Sequence, residues 1–252
     1  MKRRRRSLTF IELGAAVGLI AVLAAVLLPA LSTAREGARR ASCANNLKQM
    51  GLVFKMYANE SNGCWPPISL VPNNWMADMR SIYPEYLPDL SVLICPSSPF
   101  ADEYTFRLRD DYYHPGAPIG AYHPDCVSSL FYNYTGFTIQ SSEMAVALFD
   151  AYYEVPPEVF AAGDVQLNIP VWAVSDRGDG QAGVPVLWDR VSVDERELSH
   201  TSVGGNVLYM DGHVEFVPYS YYNDWSYFPM TRVGAETFGS VIPRLSSDCY
   251  EF

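Results

Sequence analysis

Charge is scarce in this 252-residue chain, at 18% of residues against 49% hydrophobic and 13% aromatic. That balance excludes intrinsic disorder, which requires low hydrophobicity and dense charge. Positive charge is scarcer still past residue 60, where eight Lys/Arg face twenty-five Asp/Glu, and the whole chain carries a formal −10. So acidic a body excludes a simple nucleic-acid binder, which must neutralise phosphates with Lys and Arg. The sequence also lacks a nucleophile elbow, a P-loop, a dinucleotide-binding glycine fingerprint, a kinase motif set and a paired-histidine zinc helix. No repeat of fixed period stands out. With no catalytic set in view, we read the chain as non-enzymatic, one large domain with an appendage.

The appendage is the front end. Residues 1–60 hold ten Lys/Arg and three Glu, the reverse of the acidic remainder. Five cations, Lys2 to Arg6, precede a run from Leu8 to Leu31 whose only ionisable residue is Glu12. As a helix that run is about 36 Å long, enough to cross a ~30 Å hydrocarbon core. The cations ahead of it put the N-terminus in the cytoplasm and the rest outside, although Arg35, Arg39 and Arg40 beyond the span narrow the asymmetry. The run is too long for the apolar stretch of a cleaved secretory signal. A plain anchor leaves Glu12 unexplained, because a carboxylate inside a span is costly without a partner.

Ser7-Leu8-Thr9-Phe10-Ile11-Glu12-Leu13 resembles the prepilin processing site of type IV pilins and type II secretion pseudopilins. The resemblance implies cleavage by prepilin peptidase between Ser7 and Leu8, and N-methylation of Leu8. It also implies an assembly role for Glu12, the fifth mature residue, which neutralises the free amine of a neighbouring subunit. An amine and a carboxylate in lipid do stabilise one another. The chain departs from the family in carrying Ser7 where Gly is usual and Leu8 where Phe is usual.

Past Pro29, Cys43, Leu47, Met50, Phe54 and Tyr57 recur at helical spacing, with Lys48, Gln49 and Lys55 turned away. The spacing predicts one helix from Leu8 to Tyr57, about 75 Å long, stopped by Asn59-Glu60-Ser61-Asn62-Gly63. Leu28-Pro29-Ala30-Leu31, Ala34-Arg35-Glu36, Cys43, Asn46-Leu47-Lys48-Gln49, Gly51 and Tyr57-Ala58-Asn59 resemble bacterial prepilin-like proteins whose C-terminal part carries a His followed about ten residues later by Asp-Gly. Here those residues are His200, Asp211 and Gly212, with ten residues between His and Asp where nine is usual.

Short β-rich runs at 65–67, 90–96, 130–134, 144–150 and 184–189 are strand candidates, and 74–87 suits a short helix ending near Pro88. Asp211-Gly212, between two β-rich runs, predicts a hairpin over 206–217. With a two-residue turn, Val207, Tyr209, Val214 and Phe216 share the core face and His213 and Glu215 point away. The architecture expected is α+β: a basic leader (1–7), a transmembrane or filament-core helix (8–31), its extramembrane continuation (32–60), and an acidic head (61–252) with the helix packed on an antiparallel sheet, as in pilins.

Four features suggest chemistry. His200, Asp211 and His213 could converge on a divalent ion, although turn geometry alone accounts for Asp-Gly. Asp176-Arg177-Gly178-Asp179-Gly180 resembles part of a calcium loop, with Asp176 and Asp179 as ligands and Asp164 or Asp189 to complete it; a plain Gly/Asp turn accounts for the same residues. Tyr113-His114-Pro115 and Tyr122-His123-Pro124, with Cys126 close behind, invite zinc but lack a fourth ligand. Cysteines occur at 43, 64, 95, 126 and 249. Outside the cytoplasm the last four allow three disulfide pairings, leaving Cys43 on the helix as the odd one.

The function expected is a pseudopilin or prepilin-like structural subunit, a single-pass inner-membrane protein with its head in the periplasm or on an extracellular filament. Its partners would be prepilin peptidase, neighbouring pilin-like subunits, the membrane and exported proteins. The alternatives are an envelope-anchored binding module that uses the N-terminal segment only for export, and an envelope metal hydrolase built on His200, Asp211 and His213.

Overall fold

The computed structural model describes residues 10–137, 139, 142–154, 180–200, 204–222, 227–239 and 248–250. Helix α1 (Phe10–Glu60) runs without interruption through Pro29. It belongs to two compact units, 1–39 and 40–252. Over its stretch up to Leu31, in the first unit, the helix is apolar on every side, with Leu13, Val17, Leu19, Ile20, Leu23, Val26 and Leu27 all more than half exposed. It is long and apolar enough to cross a membrane.

In the second unit the same helix becomes one-sided. Cys43, Leu47, Met50, Phe54 and Ala58 are buried while Lys48, Gln49 and Leu52 are exposed, the stripe of a helix lying on a surface. That surface is an antiparallel four-stranded sheet in the order β1 (Tyr132–Tyr134), β2 (Pro185–Asp189), β3 (Gly204–Tyr209), β4 (Val214–Pro218). The fold class is α+β, as the sequence predicts. Tyr134, Leu187 and Leu208 share the α1 side of the sheet and join the helix stripe in one core. Trp188 and Val207 face the other way, into a second core closed by α2 (Ser142–Glu154) and α3 (Arg232–Phe238). A strand buried on both faces needs apolar residues in succession, which is why 207–208 and 186–188 do not alternate. Gly51 lies where α1 meets β3: a Cβ there would stand 3.1 Å from Leu208 Cδ1.

Five expectations fail. The 144–150 run is helical in α2, with Ala145, Leu148 and Phe149 packed and Met144 and Val146 exposed; an apolar run of six residues suits either period. Residues 90–93 form a 3-10 turn, because the Asp89 carboxylate accepts from Ser91 N–H at 2.9 Å and bends the chain. Residues 65–67 pair with no strand among the described residues, and of the helix expected over 74–87 only the short 3-10 turn Met79–Ser81 forms. The hairpin slips by one residue: Tyr209 N–H donates to His213 O at 3.0 Å, so Met210-Asp211-Gly212 is a three-residue loop with only Gly212 at positive φ (+100°). Val207 therefore faces Glu215, and Leu208 faces Val214.

The cysteine pairing is also corrected. Cys43 is bonded to Cys95 and Cys126 to Cys249, leaving Cys64 as the free thiol. Because residues 43–58 lie in the head's core, a cysteine on that helix face is a head cysteine. Non-reducing peptide mapping should recover 43–95 and 126–249 cross-links, with Cys64 alone alkylated before reduction. A cross-link containing Cys64 would contradict the fold.

Candidate functional site: two histidine-carboxylate clusters

Asp189 ends β2 and Asn206 lies beside it on β3, both on the α1 side of the sheet. The carboxylate Oδ2 accepts from Asn206 N–H at 2.6 Å and from Asn206 Nδ2 at 2.8 Å, and lies 3.0 Å from His200 Nε2. His200 enters from the segment ahead of β3 and is fully buried, as are Asp189 and Asn206. Asn206 Nδ2 also reaches the α1 carbonyl of Arg40 at 3.4 Å, and the Arg40 guanidinium sits 4.5 Å over the Phe216 ring. On the same face Asn46 of α1 donates to the Tyr132 hydroxyl at 3.3 Å. Burial and then the Asp189 charge push that phenol far up, so it stays neutral. The cluster thus ties helix to sheet through polar groups that have lost their water. Its neighbour Arg190 is also buried, donating to Gly239 O at 2.7 Å and to Ser129 O at 3.4 Å.

Asp211 and Gly212 lie at the far end of β3, about 15 Å of strand beyond Asn206. There the Asp211 carboxylate accepts from His213 N–H at 2.9 Å and contacts His213 Nδ1 at 2.6 Å, while its carbonyl accepts from Lys55 of α1. Lys55, expected to turn away, instead holds the hairpin loop against the helix. The spaced His and Asp-Gly are therefore two separate fastenings of one hairpin to one helix, at opposite ends of β3. They do not form a common metal centre. Asp189, considered for the calcium loop, belongs to the His200 cluster. Asp164, Asp176 and Asp179 lie outside the described residues, as do Ser7 and Leu8; Glu12 is in α1 but its side chain is not described.

The second cluster was half visible in the Tyr-His-Pro repeat. His114 Nε2 lies 2.8 Å from Asp125 Oδ2, and its Nδ1 lies 3.1 Å from Asp248 Oδ2. Arg80 grips Asp125 with two bonds, 2.6 and 2.7 Å. His123 packs on His114, ring centroids 4.4 Å apart, and its Nδ1 accepts from Asp125 N–H at 3.3 Å. Cys126 is committed to Cys249 and is not a ligand. That disulfide brings Asp248, next to Cys249, to the side of Asp125; nothing in the sequence signals this contact across 123 residues. Hydrogen bonding to Asp125 pushes His114 up, burial pushes His123 down, and the Arg80 bonds hold Asp125 down at about 2.

Two predictions follow from these geometries. Removing Asp189 strands the buried Asn206 and His200 groups it bonds, so Asp189→Ala should cost about 3–5 kcal/mol of stability in chemical denaturation. Asp211→Ala, at a half-exposed turn, should cost below about 1 kcal/mol; equal losses would refute the division of roles. Asp125 has its pKa depressed on folding, so its contribution is full above the ordinary carboxylate value and is lost as pH falls from about 4 to about 2. Stability should decline over that interval more steeply in the native chain than in Asp125→Asn, and parallel curves would contradict it.

Comparison with known proteins adds one finding. A family described as a protein of unknown function (DUF1559) matches residues 32–79, from the middle of α1 through its end to Met79, and that family is associated with prepilin-like proteins. No curated protein and no solved structure matches the chain.

Proposed function

We propose that the chain is a non-enzymatic, pilin-like structural subunit of a type II secretion or type IV pilus-like system. One observation carries the reading: over Phe10–Leu31 helix α1 presents apolar side chains to solvent on every side. A helix hydrophobic all round must be covered by something outside its own chain. Lipid covers it before assembly, and the same segment of neighbouring subunits covers it afterwards. The family match at 32–79 and the prepilin-like residues 7–13 support this reading.

On this account prepilin peptidase cuts between Ser7 and Leu8 on the cytoplasmic side, Leu8 is N-methylated, and the acidic head is exported. Glu12 pairs with the Leu8 amine of a neighbour and sets the axial register. The head meets exported proteins or other pilin-like subunits. A second reading, an envelope-anchored binding module, is favoured by a cleft of about 510 Å³ in the head, lined by Leu70, Pro72, Met79, Arg80, Tyr113 and His114 among others.

Glu12→Gln separates the two. In a subunit it should abolish recovery of the protein in sheared or sedimented assemblies while membrane insertion stays normal. Undiminished assembly, or a native chain that never leaves the monomer pool, would reject the filament reading and leave the anchored module.

A further inference from the structure

The described residues contain two groups of possible metal ligands whose donor atoms lie within 4.8 Å of one another. In the first, Cys43, Cys95, Asp189 and His200, the two sulfurs are bonded to each other, so neither is a thiolate, and the group is sealed in the core. The second, His114, His123 and Asp125, is different in each respect. Its donors are two imidazoles and a carboxylate, and its residues are only partly buried. His114 and Asp125 line the wall of the 510 Å³ cleft.

The arrangement behind His114 is the telling feature. A metal-binding histidine usually donates its other ring N–H to a carboxylate, which fixes the tautomer and makes the ligating nitrogen more basic. His114 directs Nδ1 at Asp248 Oδ2, 3.1 Å away, and this carboxylate has only 1% of its side chain exposed. Asp248 is held in turn by Tyr113 N–H and by its place next to Cys249 in the 126–249 disulfide. The other ring nitrogen, Nε2, stands at hydrogen-bonding distance from Asp125 Oδ2, 2.8 Å, so a metal ion between the two atoms would replace a proton. The same disulfide, through Cys126, fixes the turn carrying His123 and Asp125. Two disulfide-linked segments thus bring His114, His123 and Asp125 together with donor atoms within 4.8 Å of one another, His123 offering the Nδ1 lone pair that now takes Asp125 N–H at 3.3 Å, and set Asp248 behind His114.

We propose that His114, His123 and Asp125 hold a zinc ion at the wall of the head's cleft, with Asp248 as the carboxylate that orients His114. Two nitrogens and one oxygen suit zinc and exclude calcium, which takes six to eight oxygens. Zinc takes Asp125 Oδ2 in place of Arg80 Nη2, its present partner at 2.7 Å, while Arg80 Nε keeps Oδ1 at 2.6 Å. Three protein ligands leave a fourth position, open to the cleft and filled by water or by a donor group of whatever occupies the cleft. The proposal is independent of the filament reading, because it concerns the head alone.

The test uses the full chain in detergent, stripped with chelator, exposed to zinc chloride and desalted, with bound metal counted by mass spectrometry. The native chain should retain one equivalent, and zinc should raise its thermal midpoint. His123→Ala should weaken binding at least about 10-fold and lose the thermal shift, and Asp248→Asn should weaken it by about 10- to 100-fold. Arg80→Ala should still bind, since Arg80 only shares Asp125. Cobalt(II) in place of zinc should give d–d bands without a thiolate charge-transfer band, separating this site from any cysteine site. His123 lies at a part-buried turn outside the main core, so its variant serves even if His114→Ala fails to fold. No retained zinc, equal zinc in native and His123→Ala chains, or a thiolate band would each overturn the proposal.

Discussion

What covers helix α1 decides everything else about this molecule. A single helix presents two kinds of surface along its length. From Phe10 to Leu31 it is apolar without a preferred side, and from Cys43 onward it carries a narrow buried stripe. The stripe is satisfied internally: Leu47, Met50 and Phe54 are each fully buried against the sheet, worth about 1.5–3 kcal/mol apiece. Among the described residues of its own unit, the upstream stretch has no such partner. Lipid and like helices are the environments in which such a surface is stable, so the functional reading begins from a demand for burial.

The sheet in turn is organised to receive the helix. Its α1 face carries Tyr134, Leu187 and Leu208 for packing, and Asp189 and Asn206 for polar contact. A hydrophobic contact alone would tolerate sliding of the helix along the strands. The Asn206 bond to the Arg40 carbonyl, the Cys43–Cys95 disulfide and the Lys55 bond to the hairpin loop pin it at three levels. The buried Asp189–His200 pair adds little net stability, since desolvation opposes its attraction, but it admits few alternative registers.

Much of this was legible in the residues. The α+β class, the length of α1, its stop near Asn59 to Gly63, its buried stripe and strands β1 to β4 all follow from period and turn signals. The illegible parts share a cause, which is contact between segments distant in sequence. Cys43 could not be matched with Cys95 because helix spacing says which way a cysteine faces but not what lies opposite. The hairpin register depended on one loop residue, and Met210 is apolar whether it ends a strand or begins a loop. The run 144–150 satisfies either period until α3 supplies the surface that Ala145, Leu148 and Phe149 meet. In the cleft cluster the two Tyr-His-Pro segments were visible, but their carboxylate partner Asp248 is brought in only by the 126–249 disulfide.

The His200 and Asp211-Gly212 pattern is best understood as the fastening of a β-hairpin to the helix beneath it, and the chemistry of the head lies instead along its cleft. On the function proposed, the chain is delivered and anchored through its first residues. The measurement that tests this most directly is the intact mass and N-terminal sequence of the protein extracted from its native membrane. The account predicts a chain beginning with N-methylated Leu8. A chain that retains Met1 to Ser7 would contradict it and leave an unprocessed membrane anchor.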